Sequence, residues 1–209
     1  MPLHSSRGDD LAGIQLVVIG ASAGGVEALG VLLQALPAGA TAALVAVLHI
    51  PHGRPSLLPE LYAQRCALPV REAEDKEPVV AGTVYFAAPD YHLQIEPERT
   101  FSFSIDGAVN YSLPAIDVTL ESAALAYGPA MLGIILTGAS ADGAAGLAAV
   151  RRHGGLAWVQ DPQEALAKAM PAAAIARAGA DRIWRIKQIA AGLSRLGPRL
   201  HANIKDSCD

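Results

Sequence analysis

The chain has 209 residues, 52% of them hydrophobic, enough for one large domain with its own buried core. Its formal net charge is −4 and its basic residues are scattered, which excludes the electrostatic footprint of a nucleic-acid or anionic-membrane binder. Two cysteines, Cys66 and Cys208, lack metal-ligand spacing and the density of a disulfide scaffold, so they suit a reducing compartment.

The opening MPLHSSRGDD has no apolar core for a signal peptide, and no apolar stretch runs 18 residues without polar interruption. A cytoplasmic protein with no direct membrane insertion is expected. In chain order, LVVIG (16–20) and ALVAVLHI (43–50) are short runs rich in Val, Ile and Leu. They flank a helical pattern in VEALGVLLQAL (26–36), which together predicts a βαβ unit. TVYFAAPD, YHLQIEP and RTFSFSID (83–106) alternate more and carry turn residues at 89–90, 97–98 and 106–107, as in an antiparallel meander flanking the sheet. Pro114 and AIDVTLESAALAYG predict an amphipathic helix. MLGIILTG (131–138) and GLAWVQD (155–161) form a second βαβ unit around DGAAGLAAVRRHGG, whose Gly154 and Gly155 stop the helix after His153. MPAAAIARAG (170–179) and RIKQIAAGLSRLG (185–197) predict two closing helices. One domain over 12–197 is expected, with flexible tails at 1–11 and 198–209. The fold class is α/β: a mostly parallel, doubly wound sheet covered by helices on both faces, with an antiparallel hairpin flank.

In such sheets, chemistry gathers at the carboxyl ends of strands. Ser22 follows the first strand, His49 ends the second, and Asp142 sits in the turn after MLGIILTG. A nucleophilic serine needs a base for its proton and a carboxylate to hold that base in one tautomer, and the three strand ends supply one of each. Gly24 and Gly25 would let backbone amides point at the serine and stabilise an oxyanion.

Other readings stay open. GASAG matches G-x-S-x-G, but the α/β-hydrolase elbow comes after several strands and its triad runs Ser, Asp, His, so that fold fits poorly. A dinucleotide-binding turn lacks G-x-G-x-x-G spacing and has His49 where an acid is expected. A phosphate-binding turn and a purely structural tight turn both remain, as does a small-anion or nucleotide-binding function. His49 can be a satisfied strand-end histidine and Asp142 a first-turn acid or cap of its own helix. His49 and His52 do not read as a metal pair, because Pro51 keeps them off one helical face. His92 reads as a meander side chain, His153 as a helix C-terminal residue, Asp90 and Asp161 as turn residues, and Trp158 and Trp184 as packing aromatics.

The motifs IGASAGGVEAL, LHIPHG, GTVYFAAPDYHL, LPAIDVTLESAALAYG, LTGASADGAAGL and VQDPQEALAKAMPAAAI, in that order, resemble the catalytic domain of the chemotaxis protein-glutamate methylesterases, the CheB family. The family motif I-G-A-S-T-G-G falls on Ser22, its Q-H-M-P histidine on His49, and its L-T-G-M-G-x-D-G aspartate on Asp142. The resemblance implies a three-layer α/β/α domain without the receiver domain that members commonly carry. It also implies hydrolysis of γ-glutamyl methyl esters on the cytoplasmic helices of methylated chemoreceptors through a serine acyl-enzyme, with glutamine deamidation as a further activity. No metal or organic cofactor is implied. The oxyanion would rest on amides around Ala23, Gly24 and Gly25. Where the family has Met-Gly, this chain has Ala139-Ser140, giving a smaller and more polar wall at the substrate. Glu121 replaces a basic residue on the helix that follows Pro114. These departures motivate a rival expectation: a CheB-like module that binds a receptor or signalling partner without turnover.

Overall fold

The computed structural model describes residues 11–50 and 56–197. In chain order the elements are β1 (Leu16–Ala21), α1 (Gly25–Gln34), β2 (Ala43–Leu48), α2 (Leu58–Ala63), β3 (Val70–Glu72) and β4 (Val84–Phe86). These are followed by β5 (His92–Ile95), β6 (Phe101–Ser104), α3 (Ile116–Tyr127) and β7 (Met131–Ile135). The chain closes with α4 (Ala144–Arg152), β8 (Leu156–Gln160), α5 (Ala169–Ala178), β9 (Arg182–Trp184) and α6 (Ile186–Leu193).

Seven strands form one sheet in the order β3-β4-β2-β1-β7-β8-β9, and every pairing in it is parallel. Side chains alternate across its two faces. Val17, Ile19, Ala21, Leu44, Ala46 and Leu48 pack with Leu29, Leu32 and Leu33 of α1 and Ile189 and Leu193 of α6. Leu16, Val18, Ala43, Val45 and Val47 pack on the other side with Ile116, Leu120, Leu147 and Met170 of α3, α4 and α5. A strand covered on both faces must be apolar at every position, which is why these segments read as continuous runs. Three layers, α/β/α, result.

Three sequence expectations change. The segment TVYFAAPD supplies β4, which joins the parallel sheet between β3 and β2 instead of the meander. Only β5 and β6 form the antiparallel hairpin, a separate two-stranded sheet whose β5 packs on α3. Tertiary pairing decided here, since Val84–Phe86 is buried on both faces and has no exposed side to alternate. Third, Leu11, assigned from sequence to the flexible tail, is buried in the core with α1. His52 and residues 198–209 lie outside the described residues.

The chain winds from β1 through α1 to β2 on one side, then reaches the other side of β1 with β7. The switch in direction therefore falls between β1 and β7, where open α/β sheets bind ligands. α3 and α4 close over this point and approach tightly at Gly146, where an added Cβ would lie 2.5 Å from Leu120 Cβ and 3.0 Å from Asp117 Cα. Gly146→Ala gains helix propensity but forces the two helices apart. We expect a net destabilisation of about 1 kcal/mol or more, read as a lower urea midpoint.

Candidate active site

The sheet register brings two of the three strand-end residues together. Ala21 pairs with Leu48, and His49 N–H continues the ladder onto Ala21 O at 3.2 Å. Ser22 and His49 are the next residues along the two chains beyond this last paired position. On its other side Ser22 N–H donates to Thr137 O at 3.0 Å, just beyond β7. Ser22 is half-buried and its Oγ has no hydrogen-bond partner among the described residues.

The turn carrying Ser22 is built for close approach. Gly24 has φ 78°, and an added Cβ there would lie 2.8 Å from Leu166 Cδ2, so both conformation and space demand glycine. Thr137 clamps the turn from below: its Oγ1 donates to Ala23 O at 2.9 Å and accepts from Ala167 N–H at 2.8 Å. The buried Gln160 fixes Thr137 in turn by accepting its N–H at 2.9 Å. Gly25 N–H is taken up by Ser22 O at 2.7 Å and does not face outward as an oxyanion donor. The N–H groups of Ala23 and Gly24 have no acceptor among the described residues.

Asp142 is the most densely bonded group. Its side chain is 0% exposed, and its Oδ2 accepts from His49 Nε2 at 2.8 Å and from Ile116 N–H at 2.7 Å. Its Oδ1 accepts from Gly143 N–H at 3.0 Å, Asp117 N–H at 3.1 Å and Asn110 Nδ2 at 3.2 Å. Ile116 and Asp117 open α3, so Asp142 caps a helix that is not its own. Asp117 returns the favour, accepting Gly146 N–H in the first turn of α4 at 2.7 Å. The two caps cross. Asp142 thus differs from the sequence expectation of a cap for its own helix, whose N-cap is Gly143 and whose first turn is met instead by Asp117.

Because Asp142 accepts from Nε2–H, the second ring nitrogen, Nδ1, is left as an acceptor. Ser112 Oγ lies 3.3 Å from it. Burial alone would push the Asp142 carboxyl up, but the His49 bond and then the Ile116, Asp117 and Asn110 donors outweigh it and hold it below the ordinary value. Burial pushes Asp117 up, and the neighbouring Asp142 charge adds to that against the lowering bonds from Gly146 and Asn110. His49 keeps 15% side-chain exposure, a ring supported from within and reachable from outside.

Ala139 is exposed, and Ser140 is half-buried with its Oγ 3.4 Å from Asp142 N. Glu121 is exposed on α3, one turn beyond Asp117. His92, Asn110, Ser112, Asp117, Thr137 and Gln160 were not picked out as site residues by sequence reasoning. Their signal was weak: single polar residues inside otherwise ordinary segments, with partners up to 114 positions away. Among the described residues no group of three His, Cys, Asp or Glu side chains could hold a metal ion.

Asp142→Asn should lower stability at pH 7 by about 2–4 kcal/mol, since it removes a charge that buried donors are arranged to meet. The folded value of Asp142 lies below 3.8, so its contribution is complete above that pH and is lost as pH falls through the folded value. Asp117 has the opposite sign and is relieved of its penalty on acidification. Urea denaturation of wild type and variant should therefore converge as the pH is lowered below about 4.

The family model for CheB methylesterase matches residues 17–193. A Leptospira interrogans protein, provisionally named a protein-glutamate methylesterase/protein-glutamine glutaminase, is 42% identical over 182 residues, covering 87% of this chain and 94% of its own. A Cupriavidus pinatubonensis protein-glutamate methylesterase/protein-glutamine glutaminase is 39% identical, with 86% of this chain and 53% of its own length covered. The corresponding protein of Bordetella parapertussis is 38% identical over 90% of this chain and 55% of its own. The chain thus spans about half the length of these last two relatives. The crystal structure of the Thermotoga maritima CheB methylesterase catalytic domain superposes with a TM-score of 0.83 at 33% identity, covering 87% of this chain and 98% of that one. On this match of sequence and fold, the chain belongs to the CheB methylesterase family.

Proposed function

We propose that this domain, over residues 12–197, is a protein-glutamate methylesterase that hydrolyses γ-glutamyl methyl esters on the cytoplasmic helices of chemoreceptors. The names of its relatives give the chemistry, a carboxylic ester hydrolysis. The observation that carries the assignment of roles is the 2.8 Å bond from His49 Nε2 to the buried Asp142, with Ser22 and His49 each following the last paired residues of adjacent strands β1 and β2.

In this reading His49 Nδ1 takes the proton of Ser22 as Oγ attacks the ester carbonyl carbon. The carbonyl oxygen becomes an oxyanion within reach of the Ala23 and Gly24 amides. Collapse breaks the bond to the methoxy oxygen, which takes the proton from Nδ1 and leaves as methanol. Water then attacks the acyl-enzyme, gives its proton to Nδ1, and the glutamate carboxylate departs as Ser22 regains its proton. Asp142 holds the ring in the Nε2–H tautomer and stabilises the cation formed in each half-reaction. The same sequence with an amide nitrogen as leaving group releases ammonia from glutamine, which fits the second half of the relatives' names. Ala139 and Ser140, on the loop leading to Asp142, border the substrate. No helix among the described residues is long and apolar enough to cross a membrane.

Methanol release from methylated receptor membranes should be abolished by Ser22→Ala. His49→Ala should slow it by roughly 10³–10⁶-fold. Wild-type rates in either variant would remove that residue from the reaction.

A further inference from the structure

We infer that Asn110 is a positioning residue for the Asp142–His49 pair, acting as an amide bridge between the buried carboxylates of Asp142 and Asp117. This rests on the reading of His49 as the base. Asn110 Nδ2 lies 2.8 Å from Asp117 Oδ2 and 3.2 Å from Asp142 Oδ1. Only the NH₂ end of the amide can meet two carboxylate oxygens, so its orientation is determined by the site.

The geometry gives this bridge a specific task. Asp142 must present Oδ2 to His49, and its carboxylate turns about one bond. Donors on Oδ1 fix that turn, and among the described residues Asn110 is the only side chain that supplies one; Gly143 and Asp117 donate through their backbone N–H groups. Asp117 is itself held by Gly146 N–H, so the amide is anchored at its far end to α4. The two protons of the amide also lie between two like charges that would otherwise repel at close range.

The backbone around Asn110 is shaped for this purpose. Asn110 and Tyr111 both adopt left-handed conformations, φ 51° and 62°. Asparagine tolerates this region; tyrosine does so reluctantly, and Tyr111 is fully exposed, so no packing of its own ring imposes the conformation. What imposes it is the surrounding frame. Val109 and Ser112 exchange backbone bonds at 3.1 and 2.9 Å, closing the loop around the two strained residues. His92, 1% exposed, anchors both ends of the segment: its Nδ1 accepts Ala115 N–H at 3.1 Å, which leaves Nε2–H to donate to Gly107 O at 3.2 Å. From the same loop Ser112 Oγ reaches His49 Nδ1. One loop therefore steadies the imidazole on one nitrogen directly and on the other through Asp142.

Asn110→Gly tests this in the full chain, because glycine accepts the left-handed backbone while removing the amide. Two readouts are compared with wild type: the rate at which an alkyl fluorophosphonate labels Ser22, and the solvent exchange of the His49 ring N–H proton by NMR. Labelling should slow by about 10–100-fold and the ring proton should exchange faster, both measured at a temperature where the variant is fully folded. Asp117→Asn, which keeps an acceptor for Gly146 but sets amide against amide at Asn110, should shift both readouts the same way. Wild-type labelling and exchange in Asn110→Gly would overturn the inference. A wild-type protein that takes no label would instead overturn the nucleophile assignment, and the ring-proton comparison would still decide the role of Asn110.

Discussion

Five donors converge on one buried carboxylate, and the site depends on that convergence. Asp142 accepts from His49, from the first two N–H groups of α3, from its neighbour Gly143, and from the Asn110 side chain. A buried, ionised carboxylate is costly to desolvate unless its lone pairs are met, and here they are met by groups from four separate stretches of chain. Withdrawing any one donor leaves the others bonded to a charge that can turn. The carboxylate therefore acts as the joint where β2, α3 and the loop after β7 are held in register.

This arrangement ties chemistry to packing. Asp142 caps α3 and Asp117 caps α4, so the two helices that cover the switch between β1 and β7 are locked by a pair of acids, one of which also holds the histidine. It also sets which imidazole nitrogen is available. In the familiar serine-protease arrangement the aspartate holds Nδ1 and Nε2 faces the serine. Here the aspartate holds Nε2, and the approach from α3 leaves Nδ1 toward Ser112 and the rim. The carboxylate sits on the loop after β7, across β1 from the end of β2 where His49 lies.

Much of this was legible in residue order. The apolar runs LVVIG, ALVAVLHI and MLGIILTG announced buried parallel strands, and the rule that chemistry sits at their carboxyl ends placed Ser22, His49 and Asp142 along one edge. The glycine-rich turn after β1 was equally readable, and Gly24 owes its identity to a left-handed backbone under Leu166. What escaped was non-local. Val84–Phe86 carries no mark that distinguishes a central parallel strand from a hairpin arm, since only its neighbours β3 and β2 decide. The two crossed caps escaped for the same reason: Asp142 looks like the acid of its own helix until α3 is laid against α4. Asn110 and Ser112 sit in a polar loop, VNYS, whose role appears only when His92 fastens its ends.

The most direct measurement is a crystal structure of the full chain with Ser22 covalently phosphonylated. The account predicts the phosphonate on Ser22 Oγ, His49 Nδ1 at about 3 Å from an adduct oxygen, and Nε2 still bonded to Asp142. An adduct on another residue, or a ring flipped so that Nε2 faces the serine while Asp142 loses its histidine partner, would contradict it.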